Sequence, residues 1–287
     1  MVQIINPVVI ESLGALGNIL LIRYLKRRAK VFCMCALGDD YKWVAACLNK
    51  KYKYSAMDRM NQEGILGLGR YLYMLKYVYS PLYRLLDSYA RKKVNVIIPG
   101  LSDYEIAYDD CNKAVGLVRL PVSSDNFIPP IKTNYPVKVF HAWQQGKDAR
   151  KGNDILDRVV RQYISEHGAG KVKYEIIQGV SYEEYLSKYR SADIIFDQIY
   201  SYDRGVTGAL GMAAGKVVFS GFEGEESLAI GVNAIPDINK LYTSFVSLIE
   251  SLDNIDTIKS NAYRYAKENY CSLKVADQYL RVWRNYK

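Results

Sequence analysis

The stretch DQIYSYDRGVTGALGMAAGK, residues 197–216, decides how this chain is read. Before it stands ADIIF (192–196), a short apolar run with the look of a buried strand. After the polar loop comes a helix of glycine, alanine and one methionine, and then a second apolar run, KVVFS (216–220). Strand, loop, helix and strand in that order make a parallel unit whose sheet is covered on both faces. The helix is so poor in large side chains that something must approach its backbone closely. For Gly211, Ala213 and Ala214 the expected neighbour is the sheet itself. At the helix start, Asp203, Arg204, Gly205 and Thr207 are polar or small, and free amides there can hold a ligand's anionic or hydroxyl groups.

The same alternation extends outward. Towards the C-terminus, NAIP completes the unit, and residues 238–287 have amphipathic helical spacing. Towards the N-terminus, SYEE from Ser181 is a capping box. Before it lie a strand VKYEII, a helix from about Asn153 to His167 and a strand VKVF (137–140). The run PVSSDNFIPPIKTNYP (121–136) carries four prolines and reads as a joint. The first half repeats the theme. VQIINPVVI is a strand, Asn18 a candidate N-cap for ILLIRYLKRRAK, and KVFCMCAL a strand; residues 56–93 are helices broken at Pro81. VNVIIPG is a strand, SDYEIAYDDCNKA a short helix and VGLVRLP another strand.

The expected architecture is α/β, with two Rossmann-like units facing a cleft. Residues 1–125 form an acceptor-side unit, 126–136 a linker, 137–270 a donor-side unit and 271–287 a C-terminal helix. The first unit reads as short, as if an upstream strand, glycine loop and helix were missing.

Composition narrows the function classes. The net charge of +9 and the 26 tyrosines, many beside Lys or Arg, favour an anionic partner. Nucleic acid, phospholipid headgroups and phosphorylated small molecules all qualify, but no RNP, KH or helix-turn-helix signature supports nucleic acid. Five scattered cysteines and two histidines fit neither a disulfide framework nor a metal cluster. No run of about 18 apolar residues spans a membrane, and the first residues lack a basic leader segment, so a cytoplasmic protein is expected. The segment 69–93, GRYLYMLKYVYSPLYRLLDSYARKK, reads either as core-covering helices or as a peripheral contact with acidic membrane at its inner face.

Ligands of open α/β sheets bind beyond the carboxyl ends of the strands. That rule selects GDDY after Leu37, PG after Ile98, HAWQQGKDARKGND after Phe140 and DQIYSYDRG after Phe196. Lys147, Arg150, Lys151 and Gly152 precede a helix start and make either a phosphate site or a solvated basic loop. His141 ends an apolar strand, where it contacts a sugar hydroxyl or phosphate at the cleft mouth, or is structural. His167 precedes GAG at a helix end and reads as structural. Asp39 is a candidate acceptor-hydroxyl contact or a helix N-cap.

The ordered series VFHAW…ARKGNDIL, GVSYEEYLSKYRSADIIFDQIYSYDRG, GALGMAAGKVVFSG and FEGEE resembles the donor-binding domain of group 1 GT-B glycosyltransferases over residues 137–227. Fainter similarity through INP, ALGDDYKW, YKYS and VIIPGLSDYEIAY resembles a bacterial subgroup of surface-polysaccharide enzymes. The resemblance implies a transferase that moves a sugar from a nucleotide diphosphate donor to a glycan or lipid-linked acceptor, with retention, no metal and no cofactor beyond the nucleotide-sugar co-substrate. By that resemblance Arg150 and Lys151 hold the donor diphosphate, Asp203 to Thr207 face the donor sugar, and Glu223 and Glu225 match the acidic pattern that follows. One departure stands out: two glutamates with seven residues between them in the family fall on Tyr202 and Leu210. Leucine cannot accept the hydrogen bonds of a ribose. A divergent enzyme and an inactive or incomplete relative that binds nucleotide or a partner protein are therefore both expected readings.

Overall fold

A computed structural model describes residues 1–62, 65–143 and 148–286. The chain divides into two compact units, residues 1–120 with 273–287, and residues 121–272.

Unit 1 is built on three parallel strands, β1 (Val2–Ile5), β2 (Phe32–Ala36) and β3 (Val96–Pro99), in the order β1-β2-β3. Each crossover moves the chain one strand further the same way, so right-handed connections put their helices on one face. The helices Gly14–Arg28 and Pro81–Lys93 accordingly pack side by side. The other face buries Cys33, Val96 and Ile98 beneath Val275, Tyr279 and Trp283 of the C-terminal helix Ser272–Arg284. The tail thus returns to the first unit.

Two sequence expectations change here. Asn18 does not cap its helix. It lies one turn inside, fully buried, and bridges Ile10 N–H, Ile10 C=O and Gly14 C=O at 2.9, 2.8 and 2.6 Å. Residues 115–121 form no strand; Val115 and Val118 N–H groups instead donate singly to Ile97 and Pro99.

Unit 2 holds five parallel strands, β4 (Val137–Ala142), β5 (Val172–Ile177), β6 (Ile194–Phe196), β7 (Val217–Ser220) and β8 (Val232–Asn233), ordered β5-β4-β6-β7-β8. Every strand pair is parallel, and apolar clusters cover both faces. The winding reverses between β4 and β6, which makes the carboxyl ends of those two strands the topological switch point. The helix Asn153–His167 has the expected bounds, and Ser181 accepts the Glu184 N–H at 3.2 Å as the capping box predicts.

The run expected as a linker packs into this unit. Ile128 N–H donates to Ala213 C=O at 3.0 Å, and Thr133 donates to Asp256 through its N–H at 2.9 Å and its hydroxyl at 2.6 Å. Among the described residues no helix is long and apolar enough to cross a membrane.

Candidate functional site

At the switch point the first residue beyond β6 is Asp197, 1% exposed. Its carboxylate accepts from Lys151 Nζ at 3.1 Å, Ser220 Oγ at 3.0 Å and Gly205 N–H at 3.1 Å. A buried carboxylate needs such partners to stay charged. The loops following β4 and β6 and the last residue of β7 are tied together by this one group, which also sits at the positive end of the helix Val206–Ala213. A Cβ on Gly208 of that helix would lie 2.9 Å from Asp197 Oδ2, and one on Gly211 would lie 2.7 Å from Val218 Cγ2. The small side chains therefore serve close packing on the carboxylate and the sheet.

Lys151 lies at the end of the short helix Asp148–Lys151, with Arg150 beside it. Lys147 falls outside the described residues. Gly152 is left-handed (φ 72°), and a Cβ there would stand 2.4 Å from Ile199 Cγ1, so the turn into Asn153–His167 requires glycine. Ile199 N–H donates to Lys151 C=O at 3.0 Å, locking the two loops.

Beside Lys151 opens a cleft of about 420 Å³ at the carboxyl ends of β4 and β5. Ala142, Trp143, Ile177, Gln178, Tyr185 and Thr207 line it with Lys151. Two aromatic rings, one cation and one hydroxyl thus converge on a concave site. Lys151 is half turned inward, its ammonium shared between Asp197 and the cleft. A smaller crevice, about 210 Å³, opens beside Lys138 and Lys173 at the opposite end of the sheet, where Glu175 already engages Lys173 and Lys188 at 2.8 and 3.0 Å.

His141 is not at a cleft mouth. It belongs to β4 itself, is fully buried, and has both ring nitrogens engaged, Nδ1 with Tyr174 Oη at 2.8 Å and Nε2 with Asn153 Oδ1 at 3.2 Å. Burial lowers its pKa to about 4. Tyr174 donates onward to Asp157 at 3.1 Å, so Nδ1–H must be the donor to Tyr174 and Nε2 an acceptor. The Asn153 amide then belongs in the flipped orientation, presenting Nδ2–H to the ring. The imidazole is a neutral structural group.

Asp203, Arg204 and Glu225 likewise turn inward. Arg204 is 1% exposed, lies 4.7 Å over the Phe222 ring, and donates to Tyr270 Oη at 2.5 Å, to Tyr265 Oη at 3.2 Å and to Glu225. Burial pulls its pKa down, but Tyr270, Asp203 and Glu225 more than offset this and hold it above its ordinary value. Asp203 accepts the Arg204 N–H at 2.8 Å, and Glu225 accepts from Tyr265 at 2.7 Å. Glu223 pairs with Asn233 Nδ2 at 3.3 Å. Of this sequence-expected loop, Thr207 alone lines the cleft. Leu210 packs into the apolar cluster and lines a small cavity with Ile128 and Tyr185, while Tyr202 is 8% exposed.

In unit 1, Asp39 pairs with Arg70 of the helix Ile65–Tyr79. Its neighbour Asp40 is the N-cap of Tyr41–Leu48, accepting from Trp43 N–H at 2.8 Å. Sequence reading missed Asp197, Trp143 and Tyr185; an aspartate directly after a buried strand was the available signal for the first. Among the described residues no three His, Cys, Asp or Glu side chains converge to hold a metal ion.

No family model and no curated protein matches the sequence. Solved structures do. HepE of Anabaena, in complex with UDP and glucose, superposes with a TM-score of 0.57 at 12% identity over 96% of this chain and 83% of that one. Sucrose-phosphate synthase of Thermosynechococcus elongatus gives 0.55 at 14% identity over 95% and 79%. A TarM variant of S. aureus, in complex with fondaparinux, α-GlcNAc-glycerol and UDP, gives 0.56 at 14% identity over 93% and 59%. The chain has the GT-B fold. Unit 2 contains residues 137–227, the stretch over which the sequence resembles a donor-binding domain, with Lys151 and the aromatic cleft near its switch point.

Proposed function

We propose that the chain is a glycosyltransferase that moves a sugar from a nucleotide diphosphate donor to a glycan or lipid-linked acceptor. The observation that carries this reading is the switch-point cleft of unit 2, in a fold shared with HepE, whose structure holds UDP and glucose. Trp143 and Tyr185 offer flat apolar faces to a nucleobase. Lys151, with Arg150 beside it, faces the diphosphate, and Thr207 hydrogen-bonds a donor oxygen. Asp197 acts through Lys151 as a positioning residue, holding the ammonium at the cleft wall.

In the transfer, the acceptor hydroxyl oxygen bonds to the anomeric carbon while the bond from that carbon to the diphosphate oxygen breaks. The electron pair leaves with the nucleoside diphosphate, and the hydroxyl proton passes to a diphosphate oxygen or to solvent. Cations at the diphosphate stabilise the charge that develops there, an effect worth several kcal/mol in such sites. Asp39 and the loop after β3 are the acceptor-side groups of this reading.

A second reading, a nucleotide-binding relative without turnover, is favoured by Leu210 and Tyr202, which are spent on packing, and by Glu225, which is held by Arg204. Thermal unfolding against UDP, GDP, CDP and their sugar conjugates tests the proposal. A nucleotide at 100 times its Kd stabilises by about 2.7 kcal/mol, and Trp143→Ala should abolish the shift. A selective shift with release of nucleoside diphosphate on adding acceptor supports the enzyme; a shift without release supports the relative without turnover. No shift with any nucleotide overturns both.

A further inference from the structure

Three helices of unit 1, Gly14–Arg28, Ile65–Tyr79 and Pro81–Lys93, pack in series, the last between the other two. Their solvent face is unlike an ordinary protein surface. On the first helix the exposed side chains are Leu16, Leu20, Arg23, Tyr24, Arg27 and Arg28, and the helix contains no acidic residue. The second exposes Leu68, Leu72 and Tyr79 and contains no acid among its residues either, its Arg70 being held by Asp39. The third exposes Leu82, Leu85, Arg84, Lys92 and Lys93; its one acid, Asp87, is buried against Arg91 at 2.7 Å.

Leucines and tyrosines at 43–69% exposure are costly to leave in water when they lie together on packed helices. Basic residues in the last turns complement the helix dipoles, which accounts for Arg27, Arg28, Lys92 and Lys93. That effect explains neither the exposed leucines nor the missing acids. The first and third helices both lead into neighbouring parallel strands, so they run parallel. Leu16 and Leu20 therefore stand at the same end as Leu82 and Leu85, and Arg27 and Arg28 at the same end as Lys92 and Lys93. The face is thus sorted into an apolar patch with cations beside it.

We infer that this three-helix face of unit 1 docks on the surface of a membrane carrying anionic phospholipid. The leucines enter the boundary between headgroups and acyl chains, the tyrosines lie at headgroup depth, and the arginines and lysines sit over lipid phosphates. A protein partner of ordinary chemistry would meet acids and bases of both signs; a face whose three helices expose no acid among the described residues, with Glu11 of the preceding turn the one exposed acid and set against Lys76 at 3.9 Å, fits an anionic surface. The inference stands independently of the donor cleft in unit 2.

The test is co-sedimentation of the full chain with phosphatidylcholine vesicles and with vesicles of phosphatidylcholine and phosphatidylglycerol in equal parts. Binding should require the anionic lipid and weaken with salt. Leu16→Glu with Leu20→Glu should lower partitioning at least about tenfold, and Arg27→Gln with Arg28→Gln about fivefold per charge. These positions are exposed, so melting and nucleotide binding should be unchanged, which separates a failure here from a failure of the donor reading. Arg158→Gln with Arg161→Gln, on unit 2, should bind vesicles as the parent does. No binding to anionic vesicles overturns the inference. So does a dimer by light scattering that Leu16→Glu with Leu20→Glu converts to monomer, since the face would then join two copies of the chain.

Discussion

The two units answer the same problem, an amphipathic helix on a parallel sheet, in opposite ways on their outer sides. In unit 2 the exposed side of Asn153–His167 is laced with i,i+4 pairs, Asp154–Arg158 at 3.4 Å and Asp157–Arg161 at 2.7 Å. Neither that helix nor Ile238–Ile249 nor Leu252–Asn269 exposes a large apolar residue. In unit 1 the three helices expose leucine, tyrosine, arginine and lysine and, among the described residues, no acid, with Glu11 of the preceding turn set against Lys76. Inside, unit 2 buries Asp197, Asp203 and Arg204 at the carboxyl edge of its sheet, where a small ligand would be read, and Lys216 and Lys259 beside Arg190 and Asp193 before β6. On the reading proposed above, the difference separates a unit that encloses a molecule from one that lies against a surface.

The largest expected effect concerns the buried network of unit 2. Arg204→Ala leaves Glu225 and Asp203 without their cation and should destabilise the unit by about 3–5 kcal/mol, as breaking buried pairs does. Denaturant titration measures it, and a double-mutant cycle with Glu225→Gln should show strong coupling. If Glu225→Gln instead leaves stability unchanged and weakens nucleotide binding, the group belongs to the ligand and the account of this loop is wrong.

The units should also differ in pH response. Burial raises the pKa of Asp40 from 3.8 to about 7, against the lowering hydrogen bonds from Trp43 N–H and Tyr108, with Asp87 and Asp39 adding to the rise. Folded, it holds its proton where the unfolded chain has lost it. Its contribution to unit 1 is therefore full below about pH 4 and lost as pH rises through 7. For His141, lowered from 6.5 to about 4, the unfolded chain takes up the proton first, so unit 2 loses stability as pH falls from 6.5 towards 4. Each slope approaches about 1 kcal/mol per pH unit within its window. Asp40→Asn, which keeps an N-cap, should flatten the alkaline loss, and denaturation at pH 5 and pH 8 checks it. An unchanged slope would remove Asp40 from the explanation.

The smallest effect is on the ion-paired surface of unit 2. Asp154→Ala or Arg158→Ala should cost only about 0.3–0.5 kcal/mol, vanishing at high salt. A larger loss would mean that this face, too, is part of an interface.

Much of the fold was legible because a parallel sheet writes itself as short apolar runs separated by helical periods. The capping box at Ser181, the bounds of Asn153–His167 and the break at Pro81 all follow from local chemistry. Local signals also misled. VGLVRLP has strand composition, yet makes only single hydrogen bonds beside β3, because pairing is decided by neighbours far along the chain. The site was harder for the same reason. Nothing near Arg204 reveals that Tyr265 and Tyr270 will close around it, and nothing near His141 announces that Tyr174 and Asn153 will occupy both nitrogens. Leu210 was readable as a departure from the family pattern, and in the structure its side chain packs against the apolar cluster beside Ile128 and Ala214.

The central claim is that the switch-point cleft of unit 2 takes a nucleotide diphosphate. Hydrogen–deuterium exchange of the full chain, with and without the nucleotide that shifts its melting, tests this most directly. The account predicts slowed exchange in residues 148–153, 177–185 and 205–208, with the helix faces of unit 1 unchanged. Protection confined to unit 1, or absent from those three segments, would contradict it.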